Sequence, residues 1–591
     1  MNIRVGVDTG GTYTDVVTAT GNVVKLLSTP GDPAAAVAAG LQLAGGTETL
    51  AHGTTVATNA LLERQGGRVA LISSEGQRDV IEIARQARPS LYDIWADRPD
   101  PLVARHLRFE VTGRMDSKGK EIVPLGSIPI LPSGLDAVAV CLLHSDLNSD
   151  HEVRVERALS GSVVVVRSSA LSPEYREYER TATTVADAYL RRSCAAYLDA
   201  LAALAPHVLV LTSAAGLIPL EEAAARPVSL LLSGPAGGVL AAAAAAGAAG
   251  FGECVTLDMG GTSTDVCLIR GGRPEPAAER LVAGLPIRMP SLDVLTIGAG
   301  GGSIAGIDAG GALVAGPKSA GAEPGPCCYG RGGTRPTVTD ADLVAGRIPP
   351  DGLPGLGRLD VHAAGESLAA AGVSAEGVIS VVDEAMTQAV RAVTVARGVD
   401  PAGLALVAFG GAGPLHACAL ADALGMPAVV VPPRAGVLSA VGILAAPRQV
   451  DLVRSWPDPA DHEGAAARAA ALGAEAGQAA GGRVDRVTVG YDCRYAGQSH
   501  ELTVPSVAAF AGEHAARRGY ALEGAPVEVV AVRATAQVDS PVEVAALAAP
   551  ERRGRRSGPA FIAEPDCTIW VATGWTAEVD PSGSWILTRG G

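Results

Sequence analysis

Asp8-Thr9-Gly10-Gly11-Thr12 and Asp258-Met259-Gly260-Gly261-Thr262 set an aspartate, two glycines and a threonine in the same order at two places. A second aspartate follows each at the same distance, Asp15 and Asp265. Glycines at a turn let backbone N–H groups reach phosphate oxygens, and the hydroxyls of Thr12 and Thr262 can add donors. A carboxylate beside them repels phosphate unless a divalent cation stands between, so Asp8 and Asp258 read as Mg²⁺ holders or as groups that position the attacking atom. A third stretch, Phe409-Gly410-Gly411-Ala412-Gly413-Pro414, follows an apolar run and precedes a helical pattern. Close backbone approach there, at Gly410, Gly411 and Gly413, suits an adenosine. One such hairpin would be an ordinary turn. Two copies with a third loop point to ATP, its phosphates held by Gly10, Gly11, Thr12, Gly260, Gly261 and Thr262.

The elements that must carry these residues follow from patterning. Ile3, Val5 and Val7 alternate and Val16 resumes after the glycines, which predicts two strands joined by a glycine-tipped hairpin. That excludes the P-loop and the Rossmann fingerprint, both of which run from a strand into a helix. The two aspartates are 258 − 8 = 250 residues apart, so the repeat marks two related lobes rather than a solenoid. Strand patterns at 69–73, 137–143, 163–166 and 208–211 alternate with helical ones at 56–64, 179–204 and 221–225, the order of an α/β architecture. The uncharged run 228–252 reads as a short Leu-rich strand, a turn at Ser233-Gly234-Pro235 and an Ala-rich helix. Glycine-rich loops (298–303 and 320–333), a long helix near 378–397 and a strand at 404–408 make the second lobe. Past Arg454 a Trp-Pro linker, an Ala-rich helix and strand-like runs at 484–491, 501–504 and 527–538 read as a further α+β domain. The expected regions are 1–180, 190–453 and 454–591, with the second completing the first lobe to about residue 250.

Composition sets the context. With 48% hydrophobic and 18% charged residues, the 591-residue chain is globular and long enough for several domains. A formal net charge of −15 argues against nucleic acid and against an anionic membrane surface, because both reward clustered Lys and Arg. The basic run Arg552-Arg553-Gly554-Arg555-Arg556 reads as a solvated loop. A strand pattern begins almost at the first residue, with no signal-peptide pattern, so a cytoplasmic location is expected. Nine cysteines are scattered without CxxC spacing and read as small core residues.

The hairpin, hairpin, adenosine-loop order resembles the actin, Hsp70 and sugar-kinase superfamily. In that superfamily two ribonuclease-H-like lobes close on ATP. HGTTVATNALLERQG (52–66), RQARPSLYDI (85–94), SGPAGGV (233–239), IGAGGGSIA (297–305), SAGAEPGPCCYGRGG (319–333), FGGAGPLHA (409–417) and GVLSAVGIL (436–444) are together similar to the ATP-dependent hydantoinase A / 5-oxoprolinase family. That family also contains ATP-binding subunits of acetone and acetophenone carboxylases. The resemblance implies an α/β fold of two actin-like lobes around an ATP cleft, with a C-terminal α+β domain. It also implies ATP and Mg²⁺, a hydantoinase B-type partner subunit, and a small cyclic amide whose carbonyl is phosphorylated before the ring opens. The alternative within the family is a carboxylase-like ligase. A nucleotide-gated interaction module is disfavoured by RYAGQSHELTVP (494–505), which follows the hydantoinase pattern.

His52 opens the stretch that distinguishes this family from sugar kinases. It is expected, with Thr54, Thr55 and Asn59, to line the phosphoryl-acceptor side, and it ranks with Asp8 and Asp258 as a catalytic candidate; Thr55 could instead cap a helix. Arg85 and Arg88 could hold an anion, while His144, His151 and His416 read as structural. Two positions depart from the family pattern: Ala214-Ala215, where a polar residue is usual, and Gly113, where an acidic one is.

Overall fold

The computed structural model describes residues 2–29, 31–86, 88–351, 357–481, 483–547 and 554–590. The first hairpin joins strand Asn2–Thr9 to strand Tyr13–Thr18, with Asp8 directly opposite Asp15. The second joins Cys254–Met259 to Thr264–Arg270, with Asp258 opposite Asp265. Each outgoing strand has a parallel neighbour on its other edge. Asp8 pairs with Gly53 of Thr47–Thr54, and Asp258 pairs with Phe409 of Ala405–Phe409. The repeated sequence has therefore built the same local sheet twice, and the chain is a multi-domain α/β protein.

Both hairpins sit in large sheets. The first belongs to a ten-stranded sheet whose order is 502–504, 486–495, 527–538, 448–455, 217–219, 207–211, 47–54, 2–9, 13–18 and 23–27. The second belongs to a sheet running from 273–274 through 264–270, 254–259, 405–409, 428–431 and 585–589 to 575–579 and 555–557. Residues past 453 thus extend both sheets: 486–538 continue the first through Arg448–Ser455, and 555–589 join the second through Ala428–Val431. A local core accompanies them, in which Ala465, Ala469, Leu472 and Ala476 of helix His462–Ala479 pack on Val529, Val532 and Ala534. A smaller parallel sheet, 164–167, 137–141, 69–74 and 108–111, packs beside helix Glu177–Ala202.

Strand Asn2–Thr9 is buried on both faces, so simple alternation fails there: Ile3 is exposed at its start, while Arg4 is buried and donates to the Ala446 carbonyl. The cover is helix Leu438–Ala445, which lies across helix Gly234–Ala248 so closely that a Cβ at Gly442 would stand 2.5 Å from the carbonyl carbon of Gly237. That approach explains the Gly and Ala content of 234–248. The Leu-rich stretch ahead of it is not a strand. Pro227 fixes φ and starts a 3₁₀ turn, Pro227–Leu230, and the helix begins at Gly234. Arg555–Ser557 is an exposed edge strand rather than a loop, and Arg552 and Arg553 lie outside the described residues. All nine cysteines are free and buried. Among the described residues no single helix is long and apolar enough to cross a membrane.

Candidate functional site

The two hairpins face one another across a cleft of about 280 Å³. Asp8, Gly10, Gly11 and Thr12 line it from one side, Asp258, Gly260, Gly261 and Thr262 from the other. The tips nearly touch: a Cβ at Gly261 would stand 3.3 Å from Thr12 Oγ1. Gly301 and Gly302 brace the second tip from below, donating to the carbonyls of Gly260 and Gly261 at 3.0 and 2.7 Å. Gly410 and Gly411 close a third side with Phe409, Ala412 and Leu415. Gly413 is not among the lining residues; it is the first residue of buried helix Gly413–Leu424 and packs toward the Leu257 carbonyl.

His52 is not brought to the cleft. Strand Thr47–Thr54 carries it beside Val7, one residue short of Asp8, with its ring turned into the core, fully buried, and its Nε2 2.6 Å from the Tyr197 hydroxyl. Burial pushes its pKa down to about 3, so the imidazole is neutral. The expectation that His52 acts on the transferred phosphoryl group does not fit this position. Thr55 does line the cleft, but its side chain makes no capping bond to the helix it precedes. Asn59 is exposed and bonds Thr55. Arg85 forks onto Glu179 at 2.7 and 2.6 Å and Arg88 is exposed, both outside the cleft lining. Ala214-Ala215 forms a turn whose Ser213 hydroxyl donates to the Ser229 carbonyl, and Gly113 packs near His151; neither position lines the cleft.

Several cleft groups were not singled out as site residues by the sequence, although Ser439 lies in the family-like stretch 436–444. Lys25, from strand Val23–Leu27, reaches Asp15 at 2.9 and 3.1 Å and is the single basic residue of the lining among the described residues. Ser439 Oγ donates to Asp258 Oδ2 at 3.4 Å, and Thr296 donates to Asp265 at 2.5 Å. Asp566, Cys567 and Thr568 arrive from far downstream.

The electrostatics are dominated by carboxylates. Asp8, Asp15, Asp258, Asp265 and Asp566 line the cleft against one lysine, a formal charge of 1 − 5 = −4 when all are ionised. Burial, then the neighbouring Asp265, pushes Asp258 up to about 7, and burial raises Asp265 to about 6. Asp8 is held well above the carboxylate range by burial, then by Asp15 and Asp258. Asp8 Oδ1 is buried without a hydrogen-bond partner. A hard, oxygen-liganded cation fits this deficit, because it would lower the cost of keeping these groups ionised. The tightest metal-like grouping among the described residues lies elsewhere, at Glu121, Asp150 and His151. There Arg154, 3.7 Å from both carboxylates, already supplies the positive charge.

The hydantoinase/oxoprolinase family profile matches residues 180–451, and the profile of that family's N-terminal region matches 4–163. The caprolactamase subunit alpha of Pseudomonas jessenii is 32% identical, with 99% of each chain covered. The chain belongs to the hydantoinase/oxoprolinase family. An uncharacterised protein of Methanocaldococcus jannaschii is 36% identical over 85% of this chain and 82% of its own. The 5-oxoprolinase 1 of Arabidopsis thaliana is 34% identical, and the chain spans 41% of its length. The crystal structure of the ATP-dependent caprolactamase from Pseudomonas jessenii superposes with a TM-score of 0.86 at 31% identity over both full chains. Nucleotide-free acetone carboxylase superposes at 0.77 and 25% identity, over 99% of each. The multi-domain α/β fold is therefore shared with that caprolactamase over the whole chain.

Proposed function

We propose that this chain is the ATP-binding subunit of an ATP-dependent cyclic amide hydrolase of the hydantoinase, N-methylhydantoinase or 5-oxoprolinase type, working with a B-type partner subunit. The observation that carries the proposal is the pair of equivalent Asp-Gly-Gly-Thr hairpins facing one cleft that a third glycine loop closes. Likeness to an ATP-dependent caprolactamase over the whole chain supports it. In this reading the N–H groups and hydroxyls at Gly10, Gly11, Thr12, Gly260, Gly261 and Thr262 hold the phosphates. Gly410 and Gly411 let the nucleoside approach the backbone, and Gly413 fixes the start of the helix behind them. Asp8 and Asp258 would hold Mg²⁺ through its waters; bound there, the ion neutralises charge on the phosphates during transfer.

An amide carbonyl is a poor electrophile because nitrogen donates into it. Its oxygen attacks the terminal phosphorus of ATP, ADP leaves, and the oxygen becomes part of a leaving group. Water then attacks the activated carbon, the ring C–N bond breaks with the amine taking a proton, and a second water frees phosphate to leave a carboxylate. The chain's own contribution is position and charge: two rigid tips set the phosphates in line, and the buried aspartates are pre-placed where positive charge is required.

A carboxylase-like reading is the second, favoured by the likeness to acetone carboxylase and by 34% identity to the acetophenone carboxylase gamma subunit of Aromatoleum aromaticum. The experiment is ADP release by the chain with a B-type subunit, given hydantoin, N-methylhydantoin, 5-oxoproline, caprolactam or acetone, with and without bicarbonate. A cyclic amide should drive release without bicarbonate. Release that requires bicarbonate and a ketone would replace the first reading with the second.

A further inference from the structure

The turn between strands Ala560–Ala563 and Thr568–Val571 presents Asp566, Cys567 and Thr568 to the cleft, although the family profile ends at residue 451. Asp566 Oδ2 accepts the N–H of Gly436 at 2.6 Å, and the Gly436 carbonyl accepts from Lys25 Nζ at 3.1 Å. Lys25 in turn holds both oxygens of Asp15 and stands 4.7 Å from the ring centre of Tyr13, on the first hairpin. A Cβ at Gly436 would fall 2.5 Å from the carbonyl carbon of Asp566, so only glycine lets the two segments meet. Three residues on, Ser439 reaches Asp258. The segment 436–439, a 3₁₀ turn running into helix Leu438–Ala445, is thus gripped by a cation from strand Val23–Leu27 beside the first hairpin, a carboxylate from the C-terminal turn and an aspartate from the second hairpin. Trp570 packs against a cluster that includes Ile348, Leu415 and Ala412, residues of the cleft wall beside the glycine loop at 410–413.

We propose that the 564–568 turn is the nucleoside-side wall of the cleft and that Lys25, acting through the Gly436 peptide, ties its position to the first phosphate hairpin. Lys25 and Asp566 are in this role positioning residues. The ligand class, a nucleoside 5′-phosphate, rests on the function proposed above; the mechanical tie does not.

The test uses the full chain in hydrogen–deuterium exchange read by mass spectrometry, as wild type, K25M, K25R and D566A, without ligand and with ADP and Mg²⁺. Without ligand, K25M should speed exchange in 564–568 and 435–439 by roughly threefold or more, while 486–495 stays unchanged and K25R stays close to wild type. With ADP, the wild type should gain protection at 564–568, and K25M and D566A should bind ADP roughly tenfold more weakly, as expected on losing one charge-assisted hydrogen bond. Equal exchange at 564–568 in wild type and K25M would overturn the tie, as would loosening of 486–495 to the same degree. Should K25M unfold, D566A makes the same comparison from the other end of the peptide. ADP binding without protection at 564–568 would overturn the wall. Failure of the wild type to bind ADP would sink the nucleotide reading and the wall with it, while the ligand-free arm still decides the tie.

Discussion

Gly410 offers the sharpest test of how the third loop serves the second hairpin. Its φ is +80°, its N–H donates to the Ala435 carbonyl at 2.9 Å, and a Cβ there would stand 2.5 Å from the Met259 carbonyl oxygen and closer still to Asp258 Oδ1. Real Cβ atoms essentially never come within 3.0 Å of another heavy atom, so Gly410→Ala must open that contact from 2.5 to at least 3.0 Å, half an ångström or more. The left-handed backbone adds about 1–2 kcal/mol for an alanine. The obstructing atoms belong to the end of the second hairpin, so relief displaces Asp258 or tilts the loop. Misplacement on the scale of an ångström near reacting groups costs roughly 10²-fold in rate. Gly411, one residue later, has open space around its missing Cβ and no positive φ, so alanine there strains nothing in the ligand-free chain and is the control for stability alone. Calorimetric titration with ADP and Mg²⁺, a melting curve, and ATP turnover with the partner subunit are the assays. Gly410→Ala should lower the melting temperature by a few degrees and cut affinity or turnover roughly 10- to 100-fold, whereas Gly411→Ala should leave the ligand-free melting temperature within about a degree of wild type. Wild-type affinity and turnover in Gly410→Ala, or an equal loss of ligand-free melting temperature from both, would refute the steric argument.

Three further outcomes follow from buried charge. Asp258→Asn should abolish ATP turnover yet raise the melting temperature at pH 8 in the presence of chelator, because a buried carboxylate whose pKa is pushed up to about 7 destabilises the fold once ionised; unchanged turnover would remove the role given to that carboxylate. His416 is fully buried between Asp383 at 2.6 Å and Asp342 at 3.3 Å, and despite the opposing cost of burial these aspartates lift its pKa from 6.5 to about 10. Its contribution is then fully present below about pH 6.5 and lost as pH rises through about 10. The wild-type melting temperature should fall across that upper window, and His416→Gln should lack the fall while losing roughly 3–5 kcal/mol at pH 7, read by denaturant unfolding. Arg288 is buried against Glu174 at 2.6 Å and Glu501 at 3.1 Å, and Arg533 also reaches Glu174. Arg288→Met should cost a few kcal/mol, less than a lone buried pair because Arg533 remains, and high salt should not mask the loss as it would for a surface pair.

The parts of the fold legible in the sequence were those in which local pattern and tertiary role agree. The hairpins are readable because a glycine tip between two apolar runs has few alternatives, and the repeat over 250 residues marks two lobes. Helices 56–62, 177–202 and 413–424 appeared close to where periodicity put them. Pattern failed where burial acts on both faces. Strand 2–9 hides Arg4 as well as Val5 and Val7, and the apolar run before Gly234 turns at Pro227 instead of extending.

The site shows a different limit. Phosphate loops announce themselves because the ligand demands glycine, whereas a residue that serves the site through a strand register does not. His52 heads a distinctive stretch, yet side chains alternate across a strand, and its neighbour Gly53 is the residue set beside Asp8, so the histidine itself is turned into the core. Lys25 shows the converse. It looks like an ordinary charge on an edge strand, Val23–Leu27, but its register places it directly opposite Asp15, and that pairing alone aims the ammonium into a cleft with five carboxylates. A cation so placed lowers the cost of gathering those carboxylates, which an anionic ligand would otherwise raise. Charge balance in the cleft is therefore decided by strand pairing between residues ten apart, a quantity that composition and motif do not carry.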